Sequence, residues 1–370
     1  MKLVKERMTS MQVLFVTAAY VQGSTLLTTV IMPIQKQDTW LGVITAYLLS
    51  LIMLFVYLSL LSKYPGKNLV EINQSVYGKV IGSLVSWLYL LYIFFVLTLN
   101  IDHEKIFIAS QILFDTPGPV ITLLFVVPCI LAARKGLIFI ARSGFLFSVF
   151  HILFVIIFVA ALLYVMNFEN FLPVLTLNPI SFYHGVSNVV ALPFCDVVVF
   201  MMLLPYTQQS DRQQMPKAFI KGFSLGALMF LVACLLNIAV LGDAVEFFNF
   251  PQYEAIRLIE AEKGIGNLEL LYGLMLISQR FFRTTLLLYL CSLTVAELCG
   301  LKTYEPLVFL LGLFASLVSL FISPGAAESA DFRLNVQWAF SAVYTVLLPL
   351  VTLIAAVIRT RTAKKGVLAA

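Results

Sequence analysis

The chain has 370 residues, of which 61% are apolar and only 12% carry charge. Ordinary soluble domains are about 25% charged, so a fully water-exposed exterior is excluded and an apolar exterior in lipid is expected. The net charge of +5 is spread singly beside apolar runs, which excludes a basic nucleic-acid-binding face.

A helix that crosses a bilayer needs about 20 mostly apolar residues. Lys2, Lys5 and Arg7 precede the run Met11–Met32, which is too long for a signal peptide and is read as the first span. The others are Leu41–Leu61, Val80–Leu99, Pro119–Ala133, Phe145–Val165, Gly185–Leu204, Ile220–Leu241, Leu268–Ser292, Tyr304–Ser323 and Trp338–Ile358. The fourth is short, and the eighth is interrupted by Gln279, Arg280 and Arg283. The third runs into Asn100-Ile101-Asp102-His103-Glu104-Lys105, which reads as its outer end. Between spans seven and eight lies an acidic outer connection, 242–267. Within it, Pro251 opens an amphipathic helix over Gln252–Lys263, with Tyr253, Ile256 and Ile259 on one side, lying across the outer face as connector or lid. The expectation is one transmembrane domain over 1–370.

Basic residues orient these spans. With alternating spans, 17 of the 24 Lys and Arg fall on the side of both termini, and that side is therefore cytoplasmic. Five fall on the other side (Lys36, Lys105, Arg257, Lys263 and Arg333), while Arg280 and Arg283 lie within a span. An odd number of spans would destroy this asymmetry.

Two spans carry breaks. The first has Gly23-Ser24-Thr25 near its middle and ends at Pro33; the sixth has Pro193-Phe194-Cys195-Asp196 and ends at Pro205. Proline removes a backbone donor, glycine makes unwinding cheap, and in hydrocarbon the freed groups must find partners. Glycine and proline also simply kink membrane helices, but these breaks fall in the first helix of each of two five-helix halves. Five is odd, so the halves are inverted relative to each other, about 11–165 and 186–358. That is the arrangement of transporters that hold a substrate at mid-membrane between half-helix ends. Such ends attract carboxylate on one side and an amine or cation on the other, and an amino acid carries both.

Asp196 is an intramembrane carboxylate and a functional candidate by default. It can pair with a ligand amine, relay a proton, or neutralise Arg280 or Arg283, the last being favoured. The two arginines are one turn apart; they line a polar cavity or snorkel towards the cytoplasmic headgroups, Arg283 in particular. His151, alone in an apolar span, reads as a satisfied packing residue. The five cysteines, Cys129, Cys195, Cys234, Cys291 and Cys299, read as buried free thiols. No metal spacing, nucleophile elbow or phosphate loop appears, so neither an enzyme nor a cofactor is expected.

These residues carry a family resemblance. Its marks are the Gln12-to-Pro33 helix with central Gly23, Asp38-Thr39-Trp40-Leu41, and Lys63-Tyr64-Pro65-Gly66-Lys67-Asn68-Leu69-Val70-Glu71 with Tyr77-Gly78-Lys79. Thr116-Pro117, Ala141-Arg142 after Gly136, Leu204-Pro205 and Phe250-Pro251-Gln252-Tyr253-Glu254-Ala255-Ile256-Arg257-Leu258-Ile259 follow in order. Over nearly its whole length the chain resembles the endospore germination permeases, the B subunits of spore nutrient-germinant receptors, a branch of the amino acid–polyamine–organocation superfamily.

The resemblance implies an all-α integral membrane protein of about ten transmembrane helices, with two inverted five-helix repeats of the LeuT type and broken helices one and six. It implies A- and C-type receptor subunits as partners, in the spore inner membrane. It also implies a nutrient pocket among helices one, three, six and eight. Here that means Gly23, Ser24 and Thr25, Leu97 by depth on helix three, Ala191, Leu192, Pro193 and Phe194, and Leu287 by depth on helix eight. The chain departs from the family pattern in lacking a tryptophan near Ser278-Gln279-Arg280. Three readings follow: a nutrient-sensing subunit that binds an amino acid or sugar and triggers germination; a proton- or sodium-coupled amino acid permease, with Asp196 as coupling site; and a scaffolding or channel-like subunit without a ligand.

Overall fold

The computed structural model describes residues 4, 6–176, 178–248, 250–263, 268–322 and 332–368. Regular structure among them is helical. The first span is two pieces, α1 (Ser10–Gln22) and α2 (Thr28–Gln35). A turn at Lys36, with φ +46°, leads into α3 (Thr39–Lys63). Then come α4 (Leu69–Tyr77), α5 (Lys79–Gln111), α6 (Gly118–Arg134) and α7 (Leu137–Leu162). The sixth span begins as α8 (Pro179–Val189), passes through a wide turn at Val190–Phe194, and continues as a tight helix over Cys195–Met202. The chain goes on through α9 (Met215–Leu241), α10 (Pro251–Lys263), α11 (Leu268–Leu298), α12 (Glu305–Ile322) and α13 (Asn335–Thr360).

Among the described residues, eight helical stretches are long and apolar enough to cross a membrane, and Gly118–Arg134 is a shorter apolar one. Together with the divided first span, they follow the ten predicted spans in order. Residue Ser323, the expected end of the ninth, lies outside the described residues.

Burial divides the helices. Leu48, Ile52 and Phe55 on α3, Leu146, Leu153 and Ile156 on α7, and Leu310, Phe314 and Leu317 on α12 are exposed, as hydrocarbon allows and water does not. The broken spans lie inside: α1 packs against α7 and α9, α3 against α8 and α9, and α11 against α5 and α6. The α1–α9 approach depends on Gly222 and Gly226, a small-xxx-small pair that lets two backbones close in. A Cβ at Gly222 would lie 2.2 Å from the Leu14 carbonyl oxygen, and one at Gly226 would lie 2.5 Å from Val21 Cβ.

Several expectations are corrected. The third span does not end near residue 100: α5 runs 33 residues, and Asn100, Asp102 and Glu104 are buried within it. Its polar face is covered rather than solvated, since Arg280 of α11 donates to Asn100 and Lys105 pairs with Asp102 at 2.7 Å. Phe107, a turn further on, packs on Phe250 and Tyr253 of the outer connection. The eighth span is unbroken, because its arginines meet partners on other helices instead of lipid. Between the second and third spans, Leu69–Tyr77 is a helix closed by a reciprocal cap between Asn68 and Glu71. Cys299 is exposed, unlike the other four cysteines. The helix after Pro251 forms with Tyr253 and Ile256 buried; the side chain of Ile259 lies outside the described set.

Candidate functional site

At the break in the first span, α1 ends at Gln22, Gly23 takes φ −64° and ψ 0°, and a short 3-10 turn covers Thr25–Leu27 before α2 begins. In the sixth span Leu192 leaves helical geometry at φ −156° and ψ 118°, just before Pro193. Each break frees backbone groups at depth, and other spans supply partners. The Tyr57 hydroxyl of α3 lies 3.2 Å from the Cys195 carbonyl and 2.5 Å from that of Thr345 on α13.

Between the breaks lies a buried ion pair. Asp196 opens the second half of the sixth span, where a helix N-terminus favours negative charge. It accepts hydrogen bonds from Tyr20 of α1 at 2.5 Å, from Tyr92 of α5 at 2.9 Å, and from Arg283 of α11. Arg283 also donates to the Tyr20 carbonyl at 3.0 Å and to the Ser24 hydroxyl, and its guanidinium lies 4.2 Å from the Tyr20 ring centroid. Asp196 and Arg283 are buried at 0% and 1% exposure, which removes snorkelling as the role of Arg283. Spans one, three, six and eight thus meet through one network.

Gly23 permits this closeness, since a Cβ there would lie 3.0 Å from both Arg283 Cβ and the Gln279 carbonyl oxygen. Gln22, the last residue of α1, is fully buried, and neither atom of its amide has a hydrogen-bond partner among the described residues. The Thr284 and Thr285 hydroxyls of α11 are buried in the same condition.

The other candidates separate. Ser24 joins the network directly, and Thr25 accepts from Thr28 through its carbonyl. Leu192 and Pro193 line a crevice with Leu27, Phe230 and Trp338; it holds about 10 Å³, room for roughly one water molecule. Phe194 turns into the packing of Phe223 and Phe230, and Ala191 is buried. Leu97 and Leu287 are fully buried apolar residues. On α5 the residue that reaches the network is Tyr92, which depth alone did not select. Arg280 does not pair with Asp196; it donates to Asn100 Oδ1 at 2.6 Å. One turn further, neither carboxyl oxygen of Glu104 has a hydrogen-bond partner among the described residues. His151 is buried with neither ring nitrogen hydrogen-bonded among those residues, so it packs there without being satisfied. Sequence reasoning also passed over Tyr20 and Gln22. Their signal was present as a hydroxyl and an amide within four residues of the break, in Tyr20-Val21-Gln22-Gly23-Ser24.

Ten spans with the first and sixth broken around a buried polar centre define a multi-pass membrane protein of the inverted-repeat class. The solved structures agree on the fold. MhsT, in complex with L-phenylalanine, has a TM-score of 0.68 at 12% identity, covering 96% of this chain and 99% of that one. Mhp1, a nucleobase-cation-symport-1 family transporter in a closed conformation with bromovinylhydantoin bound, has a TM-score of 0.66 at 13% identity, covering 94% and 78%. A manganese transporter of Eremococcus coleocola is similar at a TM-score of 0.65 and 13% identity, covering 93% and 78%. The fold is therefore that of LeuT-like transporters, with two inverted five-helix repeats.

The family follows from the sequence. Residues 7–326 match the family described as Spore germination protein, and the chain belongs to it. Spore germination protein KB of Bacillus subtilis (strain 168) is 26% identical over 338 residues, 89% of each chain. Family and fold are those of permeases and transporters, and they place the chain in a germinant receptor or permease-like role.

Proposed function

We propose that the chain is the membrane subunit of a spore germinant receptor that binds a small nutrient, an amino acid or a sugar, between its broken spans and thereby triggers germination. The supporting observation is the pair of corresponding breaks facing one buried centre, where the Gln22 amide offers unused hydrogen-bonding groups beside Ser24, Asp196 and Arg283. The ligand residues proposed are Gly23, Ser24 and Thr25, with Ala191, Leu192, Pro193 and Phe194, and with Leu97 and Leu287 behind them. In this conformation the crevice at Pro193 is nearly closed, so binding works by shifting a conformational balance, to the extent of the ligand's differential affinity for the two states. A- and C-type subunits read out the change in the spore inner membrane, with both termini cytoplasmic and repeats over about 11–165 and 186–358.

Gly23→Ala tests this reading. The added methyl presses on Arg283 Cβ and the Gln279 carbonyl, so spores carrying it should require a shifted nutrient concentration or answer a different nutrient, at normal receptor levels. An unchanged dose–response curve and an unchanged nutrient range count against the site.

The second reading, a proton- or sodium-coupled amino acid permease, is favoured by the likeness to solved transporters, one of them holding L-phenylalanine. Gradient-driven accumulation of an amino acid in proteoliposomes containing this chain alone would favour it over the sensor.

A further inference from the structure

A half-helix that stops inside the membrane leaves its last carbonyls without intrahelical donors, and this end carries partial negative charge. In inverted-repeat transporters such carbonyl ends, with the unwound backbone after them, hold the coupling cation. Sodium is thus the ion the fold implies, and the residues around the end of α1 can be tested for a fit.

They do not fit a free cation, because the place is filled from within the chain. Arg283 donates to the Tyr20 carbonyl, one of the last carbonyls of α1, and to the Ser24 hydroxyl just past the break. It pairs with Asp196 across the centre and lies over the Tyr20 ring. A carbonyl, a hydroxyl and a carboxylate are the hard oxygen ligands a small cation would seek, and all three are engaged by one guanidinium. That group keeps its charge at any physiological pH, and it is tethered to α11, which is continuous through this point. A metal ion added here would face an uncompensated positive neighbour, since the one charge of Asp196 is already matched. Gly23 belongs to the same device, because a side chain there would collide with the Arg283 stem at 3.0 Å.

We propose that Arg283 is a built-in cation that replaces the dissociable ion of this fold, so that the chain neither binds nor responds to sodium at the broken first span. This deepens the reading of that centre as the ligand site and removes sodium coupling from the permease alternative. Arg283 acts as a positioning residue: it holds the two broken spans together through Tyr20, Ser24 and Asp196.

The test is thermal unfolding of the purified full chain in detergent, read by tryptophan fluorescence. Sodium is exchanged for N-methylglucamine at constant ionic strength. The parent should show the same unfolding curve in both salts. Arg283→Ala should be less stable than the parent and should recover in a saturable way with methylguanidinium or a small alkali cation. At one hundred times the dissociation constant, an ion bound to the folded state alone shifts the unfolding equilibrium about 100-fold. Arg283→Ala combined with Asp196→Ala should lose that recovery, which a purely space-filling role for the arginine does not predict.

Saturable stabilisation of the parent by sodium overturns the proposal. So does an Arg283→Ala protein that folds but responds to none of these cations. If Arg283→Ala does not fold, the sodium titration of the parent and of Arg283→Lys decides the matter, indifference supporting the proposal and saturation overturning it. The readout is cation binding and not nutrient response. A failed Gly23→Ala germination test with sodium indifference intact would sink the ligand site and leave this inference standing.

Discussion

Asp196→Asn is the substitution with the most to say about this centre. The carboxylate takes donors from three other spans, Tyr20, Tyr92 and Arg283, at 0% exposure. Asparagine keeps the size but offers a single acceptor oxygen and turns an amide donor towards one of those three donors. It also leaves the Arg283 charge buried without its partner. Breaking one side of a buried ion pair costs about 3–5 kcal/mol, which corresponds to roughly two to four powers of ten in the unfolding constant. Unfolding in mixed micelles of increasing denaturing detergent, followed by tryptophan fluorescence, measures the loss. If charge is the cause, adding Arg283→Gln to Asp196→Asn should cost less than the two single changes together, with a coupling of about 2 kcal/mol or more. An Asp196→Asn protein within about 1 kcal/mol of the parent, or a cycle that is additive, refutes the reasoning.

Tyr92→Phe removes one hydroxyl bonded to the carboxylate at 2.9 Å but keeps the ring stacked on Tyr344, so it should destabilise by about 1.5–3 kcal/mol in the same assay. Gly222→Ala drives a methyl to within 2.2 Å of the Leu14 carbonyl oxygen; it forces α1 and α9 apart and should cost about 1–3 kcal/mol as overpacking in the same assay. Cys299 is exposed while Cys129, Cys195, Cys234 and Cys291 are buried, so a membrane-impermeant maleimide should modify one thiol per native chain. It should do so in inside-out vesicles and not in right-side-out ones, and labelling from the outer face would reverse the proposed orientation.

The spans were legible because the cost of burying a peptide group in hydrocarbon is written into run length and apolarity, residue by residue. The breaks at Gly23 and Pro193 were legible for the same local reason: each residue type alters its own backbone. Position along the chain even matched the two breaks to each other, since inversion needs only an odd count per half.

Partnership was not local. Asn100 to Lys105 looked like a helix leaving the membrane, because five polar residues out of six are cheap only in water. Burial became possible when Arg280 arrived from 180 residues away and Lys105 folded back on Asp102. Leu97 was chosen by depth, but Tyr92 does the reaching, since five residues along a helix turn the side chain by about 140°. Likewise Arg283 was the arginine expected to reach for the headgroups, and only the packing of α11 against α1 and α5 sent it to Asp196 and sent Arg280 to Asn100. Run length, residue type and charge along the chain were enough to say which segments cross, where two of them break, and that a buried carboxylate needed a positive partner. The tertiary structure alone decided which guanidinium supplies it, because a charge inside a membrane is held by the directions of side chains on separate helices, and those directions exist only after the helices have packed.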